Sequence, residues 1–255
     1  MLRTRLAVAA PAAGAAALLL AAAPALASGT NGSAQADLAP LNDSGGTGSA
    51  MVQVDGTTLE FTLAASGLLA DAPHAAHIHY GEDAMGQCPT ADADEDGDGF
   101  LTTSEGAPFY GGIVVSLTTE GDTSPDSGLA VDRFGVGDDI SYSRGDVEVS
   151  AEVAEDILSG EAVVVVHGVD HDGDGAYSEG ERGASDLDPS LPGEATDPAL
   201  CGVLQASQMT EMPAGGVDTG EAEAAGRNIA LAAGGALALA GGAYLVARRR
   251  TADDS

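Results

Sequence analysis

The histidines are the residues of this sequence best suited to chemistry, because all five lie in two short stretches: His74, His77 and His79, then His167 and His171. His77 and His79 are two residues apart in a predicted strand, so their imidazoles project from the same face. His167 ends a run of four valines that predicts a buried strand and can bring a third imidazole to the same place. Three neutral imidazoles suit copper or zinc and leave a coordination position open. The sequence therefore predicts a metal site at His77, His79 and His167, and we interpret His171 as an exposed spacer or, alternatively, a nearby proton carrier.

Two twelve-residue segments match the pattern of an EF-hand-type calcium loop, with oxygen ligands at the first, third, fifth, ninth and twelfth positions, glycine at the sixth and a backbone carbonyl ligand at the seventh. The predicted ligands are Asp94, Asp96, Asp98, Phe100, Thr102 and Glu105 in the first, and Asp170, Asp172, Asp174, Ala176, Ser178 and Glu181 in the second. The flanks are rich in glycine and proline, so we expect isolated loops that stabilise a β scaffold. The alternative is a pair of solvated acidic turns.

The charge of the chain restricts its partners. Forty acidic residues face nine basic ones, and the formal net charge is −31. Such a surface repels nucleic acid and anionic lipid, and it favours cations as partners. Part of the charge serves solubility.

The two cysteines, Cys88 and Cys201, predict one disulfide, since an even count in an exported chain is typical of pairing. A pair of unrelated free thiols is the alternative.

Short apolar segments separated by glycine, aspartate and proline predict an all-β domain, a Greek-key barrel or sandwich. One short helix is expected over Ala151 to Leu158. The strand candidates are Ala50 to Val54, Thr58 to Leu63, Ala75 to Tyr80, Gly112 to Thr118, Asp146 to Val149, Glu161 to His167 and Gly202 to Gln205.

Both ends of the sequence predict export and anchoring. Residues 1–27 have the pattern of a signal peptide, 28–48 that of a flexible lead-in, 49–206 that of the β domain and 207–228 that of a stalk. Residues 229–247 are long and apolar enough to cross a membrane, and the basic tail 248–255 is expected on the cytoplasmic side. The segment 212–220 resembles a Gram-positive sortase signal, with cleavage expected between Thr219 and Gly220. We expect a cell-surface protein of a Gram-positive-type bacterium, attached either to the cell wall by a sortase or to the membrane through this helix alone.

The order of these landmarks resembles copper/zinc superoxide dismutase. It comprises His74-x-x-His77-x-His79, Cys88 nine residues later, a valine run ending in His167-Gly168, and Leu200-Cys201-Gly202. The Ala-Ala-His-Ile-His core also resembles the related CHRD module of exported proteins. The resemblance implies an eight-stranded Greek-key barrel of that type, copper at His77, His79 and His167, a structural histidine at His74, and pairing of Cys88 with Cys201. We expect the two calcium loops to be inserted in this barrel.

The departures from that family restrict the function. No histidine lies between Cys88 and His167, so a zinc site of the family type is not expected. The arginine that guides superoxide in the family corresponds here to Pro198. An acidic face slows an anionic substrate, because steering depends on the sign of the local potential.

Three hypotheses follow. The first is a copper-dependent redox domain that disproportionates superoxide, or a related oxidant, at the cell surface. The second is a non-catalytic module, rigidified by calcium, that serves adhesion or envelope structure and keeps a remnant metal site. The third is a mononuclear zinc hydrolase, although no general base is identifiable near the histidines.

Overall fold

The computed structural model describes residues 30–207. Within this range the chain forms three α-helices: α1 Thr103–Tyr110, α2 Ala151–Leu158 and α3 Gly193–Thr196. It also forms eleven strands: β1 Asn31–Pro40, β2 Thr47–Asp55, β3 Thr58–Ser66, β4 Pro73–His74, β5 Ala76–Tyr80, β6 Gly112–Ser116, β7 Gly135–Val136, β8 Asp139–Glu148, β9 Val163–His167, β10 Pro198–Val203 and β11 Gln205–Ala206.

Strand β3 shows how the sequence pattern becomes a sheet face. Leu59, Phe61 and Leu63 are at most 1% exposed, while the polar residues between them face outwards. Successive side chains of a strand point to opposite faces, so this alternation places one apolar face on the core. The predicted strand Thr58 to Leu63 is confirmed.

The main sheet has the strand order β6-β5-β9-β10-β1-β2-β3-β8, with β11 added beside β1, and its described pairings are antiparallel. The three hairpin-connected strands β1 to β3 lie next to β10, which is the Greek-key arrangement. Side chains of the edge strand β8 bind the two residues that follow the edge strand β6, since Tyr142 donates to Leu117 O at 2.6 Å and Arg144 to Thr118 Oγ1 at 2.7 Å. The predicted all-β Greek-key fold is confirmed as a curled half-barrel.

Strand β1 corrects the prediction that residues 28–48 form a flexible lead-in. Ala34, Ala36 and Leu38 are buried on one face of β1, which pairs with β2 over Asn31 to Leu38. Glycine, serine and asparagine are weak strand formers, and the buried side chains are small, so the segment gives little strand signal of its own. Its pairing with β2 and β10 supplies the order that local propensity does not.

Strand β9 crosses the centre of the sheet. Its four valines, 163 to 166, are fully buried, because alternate residues pack on opposite sides of the sheet. A strand covered on both faces has a continuous apolar run instead of alternation. This strand ends at His167.

The disulfide links the loop after β5 to strand β10. Cys88 and Cys201 are joined, with 113 residues between them in sequence. Cys201 packs with Tyr110 and Val165 in a small apolar cluster on the outer side of β9. The pairing that the sequence predicts is present.

Several predicted segments lie outside the described residues: the signal peptide 1–27, most of the stalk 207–228 with Thr219 and Gly220, the apolar segment 229–247 and the tail 248–255. Among residues 30–207, no helix is both long and apolar enough to span a bilayer.

Candidate metal centre

Three histidines from two neighbouring strands converge on one face of the sheet. β5 carries His77 and His79, and β9 carries His167, whose backbone N–H donates to Ala75 O at 2.8 Å. The ring centroids of His77 and His79 are 5.5 Å apart, and those of His77 and His167 are 5.1 Å apart. One ring nitrogen from each residue lies within 4.8 Å of the other two. The structure therefore brings together the three predicted ligands, which we call the histidine trio.

Hydrogen bonds fix which nitrogen of each ring is free. His77 Nε2 lies 2.9 Å from Gly128 O, His79 Nδ1 3.0 Å from Gly111 O, and His167 Nδ1 2.6 Å from Thr196 O. A carbonyl oxygen only accepts, so each of these nitrogens carries the proton and donates. The lone pairs are then on His77 Nδ1, His79 Nε2 and His167 Nε2.

These three nitrogens are buried and have no hydrogen-bond partner. Buried polar atoms are rarely left without a partner, because the lost hydration is costly. Three converging lone pairs are what a metal ion with imidazole ligands needs. The arrangement fits a metal ion bound by the histidine trio, with the second nitrogen of each ring held by a carbonyl.

Burial also sets the protonation state. Desolvation lowers the pKa of His77, His79 and His167, and mutual repulsion lowers those of His77 and His79 further. The pKa of His79 falls to about 3. The trio is therefore neutral at physiological pH, which is the form that binds a metal.

Aromatic neighbours fix two of the rings. The ring of His79 lies 4.7 Å from that of Tyr110 at the end of α1, and the ring of His77 lies 5.4 Å from that of Phe134. Both contacts are close to edge-to-face, a favourable geometry for aromatic pairs. No sequence pattern indicates Tyr110 or Phe134 as part of the site, since each is distant in sequence from the histidine that it contacts.

His74 lies outside the trio, as the resemblance implies. Its Nε2 lies 3.0 Å from Leu69 O, and its Nδ1 lies 2.9 Å from the hydroxyl of Tyr177 and 3.1 Å from His167 O. His74 thus connects the end of β9 to the segment that carries Tyr177. Tyr177 is a supporting residue that the sequence analysis missed.

His171 is not an exposed spacer, and that interpretation was wrong. Its Nε2 lies 3.0 Å from Asp197 Oδ2, and Arg182 Nε donates to the same oxygen at 2.7 Å. Asp197 is fully buried, and the ring of His171 packs against Phe100 at 4.7 Å. His171 therefore ties the segment after β9 to the start of β10.

The first acidic loop, residues 94–105, brings three of its predicted ligands together. Carboxylate oxygens of Asp94, Asp96 and Glu105 lie within 4.8 Å of one another. Glu105 accepts from the backbone N–H of Glu95 and of Thr102, each at 2.9 Å. Thr102 caps α1 in a reciprocal pair with Glu105, so the helix start presents this carboxylate to the loop.

In the second acidic loop, residues 170–181, the third converging carboxylate differs from the one that the sequence predicts. Asp170 and Asp172 converge with Glu194 of α3, whereas Glu181 is exposed and lies outside the cluster. Glu194 accepts from the backbone N–H of His171 at 2.9 Å and of Ser178 at 2.7 Å. These donors are the second and ninth residues of the loop, as Glu95 and Thr102 are in the first loop. Since no helix begins directly after Ser178, Glu181 is not presented to the loop, and Glu194 of α3 is the third carboxylate of the cluster instead.

The remaining predicted loop ligands lie beside these clusters. Asp98 and Asp174 are exposed, and each accepts from the backbone N–H two residues further on, at 2.8 Å from Phe100 and 2.9 Å from Ala176. The hydroxyls of Thr102 and Ser178 donate to Glu105 and Asp172, at 2.9 and 3.3 Å respectively.

The sequence model of the CHRD domain matches residues 26–176, more than half of the 255 residues. The chain belongs to the CHRD domain family. The resemblance to the CHRD module is thus confirmed. The CHRD match includes β1, the histidine trio and the first acidic loop, and it ends within the second loop, before Glu194 and Cys201.

Among solved structures, the CHRD chain is similar to superoxide dismutase 5 of Candida albicans. The Cu(II) form of that protein is 15% identical with a TM-score of 0.39, and the alignment covers 72% of this chain and 97% of that one. Two variants of the same protein are also 15% identical. For one, the TM-score is 0.37 and the alignment covers 69% of this chain and 90% of the variant. For the other, the TM-score is 0.38 and the alignment covers 72% of this chain and 97% of the variant. Comparison with curated protein sequences gives no match.

Proposed function

We propose that this CHRD chain is an exported protein that binds one copper ion through His77, His79 and His167 and carries out one-electron chemistry at the cell surface. The observation that carries the proposal is the set of three buried ring nitrogens, within 4.8 Å of one another and without a hydrogen-bond partner. Copper(II) binds nitrogen ligands more tightly than zinc does. When bound, copper supplies one-electron cycling between two oxidation states.

The residues around the trio bind and orient this site. Each carbonyl partner holds one ring in a single tautomer, so the ligand geometry is set before the metal arrives. Burial of all three rings excludes bulk water from the ligand atoms. These features support tight and selective metal binding.

Superoxide dismutation is the reaction that the sequence resemblance implies: two superoxide anions and two protons give dioxygen and hydrogen peroxide. Electrostatics oppose rapid capture of the anion, since Asp126 borders the cavity next to His77 and no lysine or arginine does so among the described residues. Opposite charge near the site is what raises the association rate of an ion. We therefore expect dismutation well below the diffusion limit.

The two acidic loops are proposed as calcium sites that stabilise the domain. Each has three carboxylates within 4.8 Å of one another, and repulsion among them is relieved by a divalent cation. Oxygen ligands at this density suit calcium. The first site uses Asp94, Asp96 and Glu105, and the second uses Asp170, Asp172 and Glu194.

Export is proposed from the signal-like segment 1–27 and from the disulfide, since disulfides persist in oxidising compartments. Attachment through the segment 212–220 by a sortase, with the cell wall as partner, extends the same proposal. A membrane anchor at 229–247 is the alternative.

A calcium-rigidified surface module without catalysis is the second candidate. The absence of a basic residue from the described lining of the cavity favours it, because an anionic oxidant is not attracted there.

One experiment separates these functions. The full chain is loaded with copper, and copper content, the Cu(II) electron paramagnetic resonance spectrum and superoxide turnover are measured for wild type, His77→Ala and His167→Ala. His171→Ala is the matched control, because its ring lies outside the trio. We expect one copper per chain in wild type and the control, and little in the two trio variants. Stoichiometric copper without turnover would favour the non-catalytic module, and equal copper in all four proteins would exclude the trio as the site.

A further inference from the structure

A cavity of about 260 Å³ lies beside the histidine trio. His77 and His167, each 3% exposed, line its buried end. Its mouth carries Leu129, Val131 and Leu187, which are 41%, 36% and 46% exposed. The cavity therefore runs from an apolar rim at the surface to the side chains of His77 and His167.

The walls offer few polar groups to a ligand. The hydroxyl of Thr103 donates to Thr196 O at 2.6 Å, and that of Thr196 is bonded to Ser185 at 2.7 Å. Both hydroxyls are thus used inside the protein. The unpartnered ring nitrogens of His77 and His167 are buried and add no accessible polar atom to the walls. A ligand would therefore find mainly apolar contacts in the cavity.

The charge of the cavity selects against anions. Asp126 is the one carboxylate among its described lining residues, and neither lysine nor arginine is among them. The whole chain adds a formal charge of −31. Bringing an anion into such a place costs both desolvation and repulsion, whereas a neutral molecule meets neither penalty.

The volume indicates the size of the ligand. An apolar protein cavity of about 150 Å³ is large enough to bind benzene. The cavity here is larger, so one aromatic ring with a substituent fits. Exposed leucine and valine side chains at the mouth of so acidic a protein are typical of a binding site for apolar molecules.

We propose that this cavity binds an uncharged molecule of about one aromatic ring, of the phenol class, in contact with the side chains of His77 and His167. This inference rests on the proposed function for the metal held by the neighbouring histidine trio, and it names the class of small molecule that binds beside that site.

Binding of phenol and of benzoate, which has similar size but carries a negative charge, tests the proposal. Full-length protein is titrated with each probe in metal-free and copper-loaded form, and the metal-free titration follows the histidine ring proton signals by NMR. In the copper-loaded form, where paramagnetism broadens those signals, the Cu(II) spectrum is followed. We expect saturable phenol binding at millimolar concentration in the metal-free protein and at least about fivefold weaker binding of benzoate.

Two variants test the place of binding. Leu129→Asp and Leu187→Asp each add a carboxylate at the mouth from a different segment, and Val136→Asp adds one at a side chain that is 60% exposed and does not line the cavity. We expect both mouth variants to weaken phenol binding at least about fivefold and the control to leave it unchanged.

Three outcomes would each overturn the proposal: equal binding of phenol and benzoate, no saturable phenol binding, or an equal effect of all three variants. Copper content is measured separately: phenol binding without copper uptake would defeat the proposed function alone, and copper uptake without phenol binding would defeat this inference alone.

Discussion

Glu194 and Thr196 are two residues apart in α3 and belong to two different sites. Glu194 accepts hydrogen bonds from the second acidic loop, while the carbonyl of Thr196 accepts the ring Nδ1–H of His167 at 2.6 Å. One short helix therefore connects a proposed calcium site to a ligand of the proposed copper site. Order in the loop and orientation of the His167 ring are expected to depend on each other.

Glu194→Gln is expected to remove most of the stabilisation that calcium gives to the second loop. A site with a dissociation constant of about 10⁻³ M contributes about 1.4 kcal/mol at about 10 mM calcium. This corresponds to roughly 3–6 °C in melting temperature for a domain of this size. The measurement is the change in melting temperature between calcium and chelator.

Glu181→Gln is the matched control, because Glu181 is exposed and outside the carboxylate cluster. It should show the full calcium response of the wild type. If Glu181→Gln lost the response and Glu194→Gln kept it, the assignment of Glu194 would be wrong and the sequence-based ligand would be restored.

The sequence was sufficient to predict a strand or a ligand position where one local pattern of residues determined it. The alternation in Thr58 to Leu63 and the valine run before His167 each report a strand directly, because burial on one face or on both faces leaves a distinct pattern. The i, i+2 spacing of His77 and His79 placed both rings on one side of β5. The third ligand needed only the pairing of β9 with β5, which the apolar run made plausible.

The sequence was insufficient to predict a contact where a segment distant in sequence supplied the side chain or the pairing strand. Glu194 replaces Glu181 because α3 packs on the loop, and no spacing rule indicates this. Strand β1 depends on pairing with β2 and β10, and its own alanines and glycine favour no strand. Tyr177 reaches His74 across 103 residues. Tertiary contacts decided each of these cases.

Gly111→Ala is expected to destabilise the domain and weaken metal binding. Gly111 has φ of 86°, and its carbonyl holds the ring of His79. A Cβ at this position would lie 2.6 Å from the backbone nitrogen of Gly81. Strain from the left-handed backbone adds to this overlap, so we expect a loss of more than about 3 kcal/mol in the free energy of unfolding, together with lower copper affinity.

Gly160→Ala is the control, since Gly160 also has φ of 86° but no heavy atom lies within 4 Å of the position that an added Cβ would take. Its cost should be about 1–2 kcal/mol from backbone strain alone, with copper affinity unchanged. Denaturant unfolding and copper titration of both variants make the comparison. Equal costs would show that the overlap at Gly111 is absorbed by small shifts.

Removal of the disulfide is expected to lower stability strongly. The bond closes a loop with a sequence separation of 113 residues. In the chain-entropy description, a loop of this length gives about 5 kcal/mol by restricting the unfolded chain. The variant with both Cys88→Ala and Cys201→Ala, measured by denaturant unfolding, should lose a comparable amount. A loss below about 1 kcal/mol would mean that the two segments stay together in the unfolded chain without the bond.

The metal-free protein is expected to lose stability as the pH falls below about 6.5, and His79 should contribute measurably to the loss. Its pKa is lowered from 6.5 to about 3 on folding, chiefly by burial. Between these values the unfolded chain binds a proton that the folded chain does not, so acid favours unfolding and the stabilisation is complete only above pH 6.5. The contribution lost between neutral pH and pH 5 is about 2 kcal/mol for this one ring.

Carboxylates also titrate in acid, but they are common to wild type and His79→Gln, so the difference between the two proteins isolates the histidine. The free energy of unfolding, measured from pH 7 to pH 5 with chelator present, should fall less steeply for His79→Gln. Parallel curves would mean that the folded protein protonates this ring near its ordinary pKa, and the buried neutral trio would then have to be abandoned.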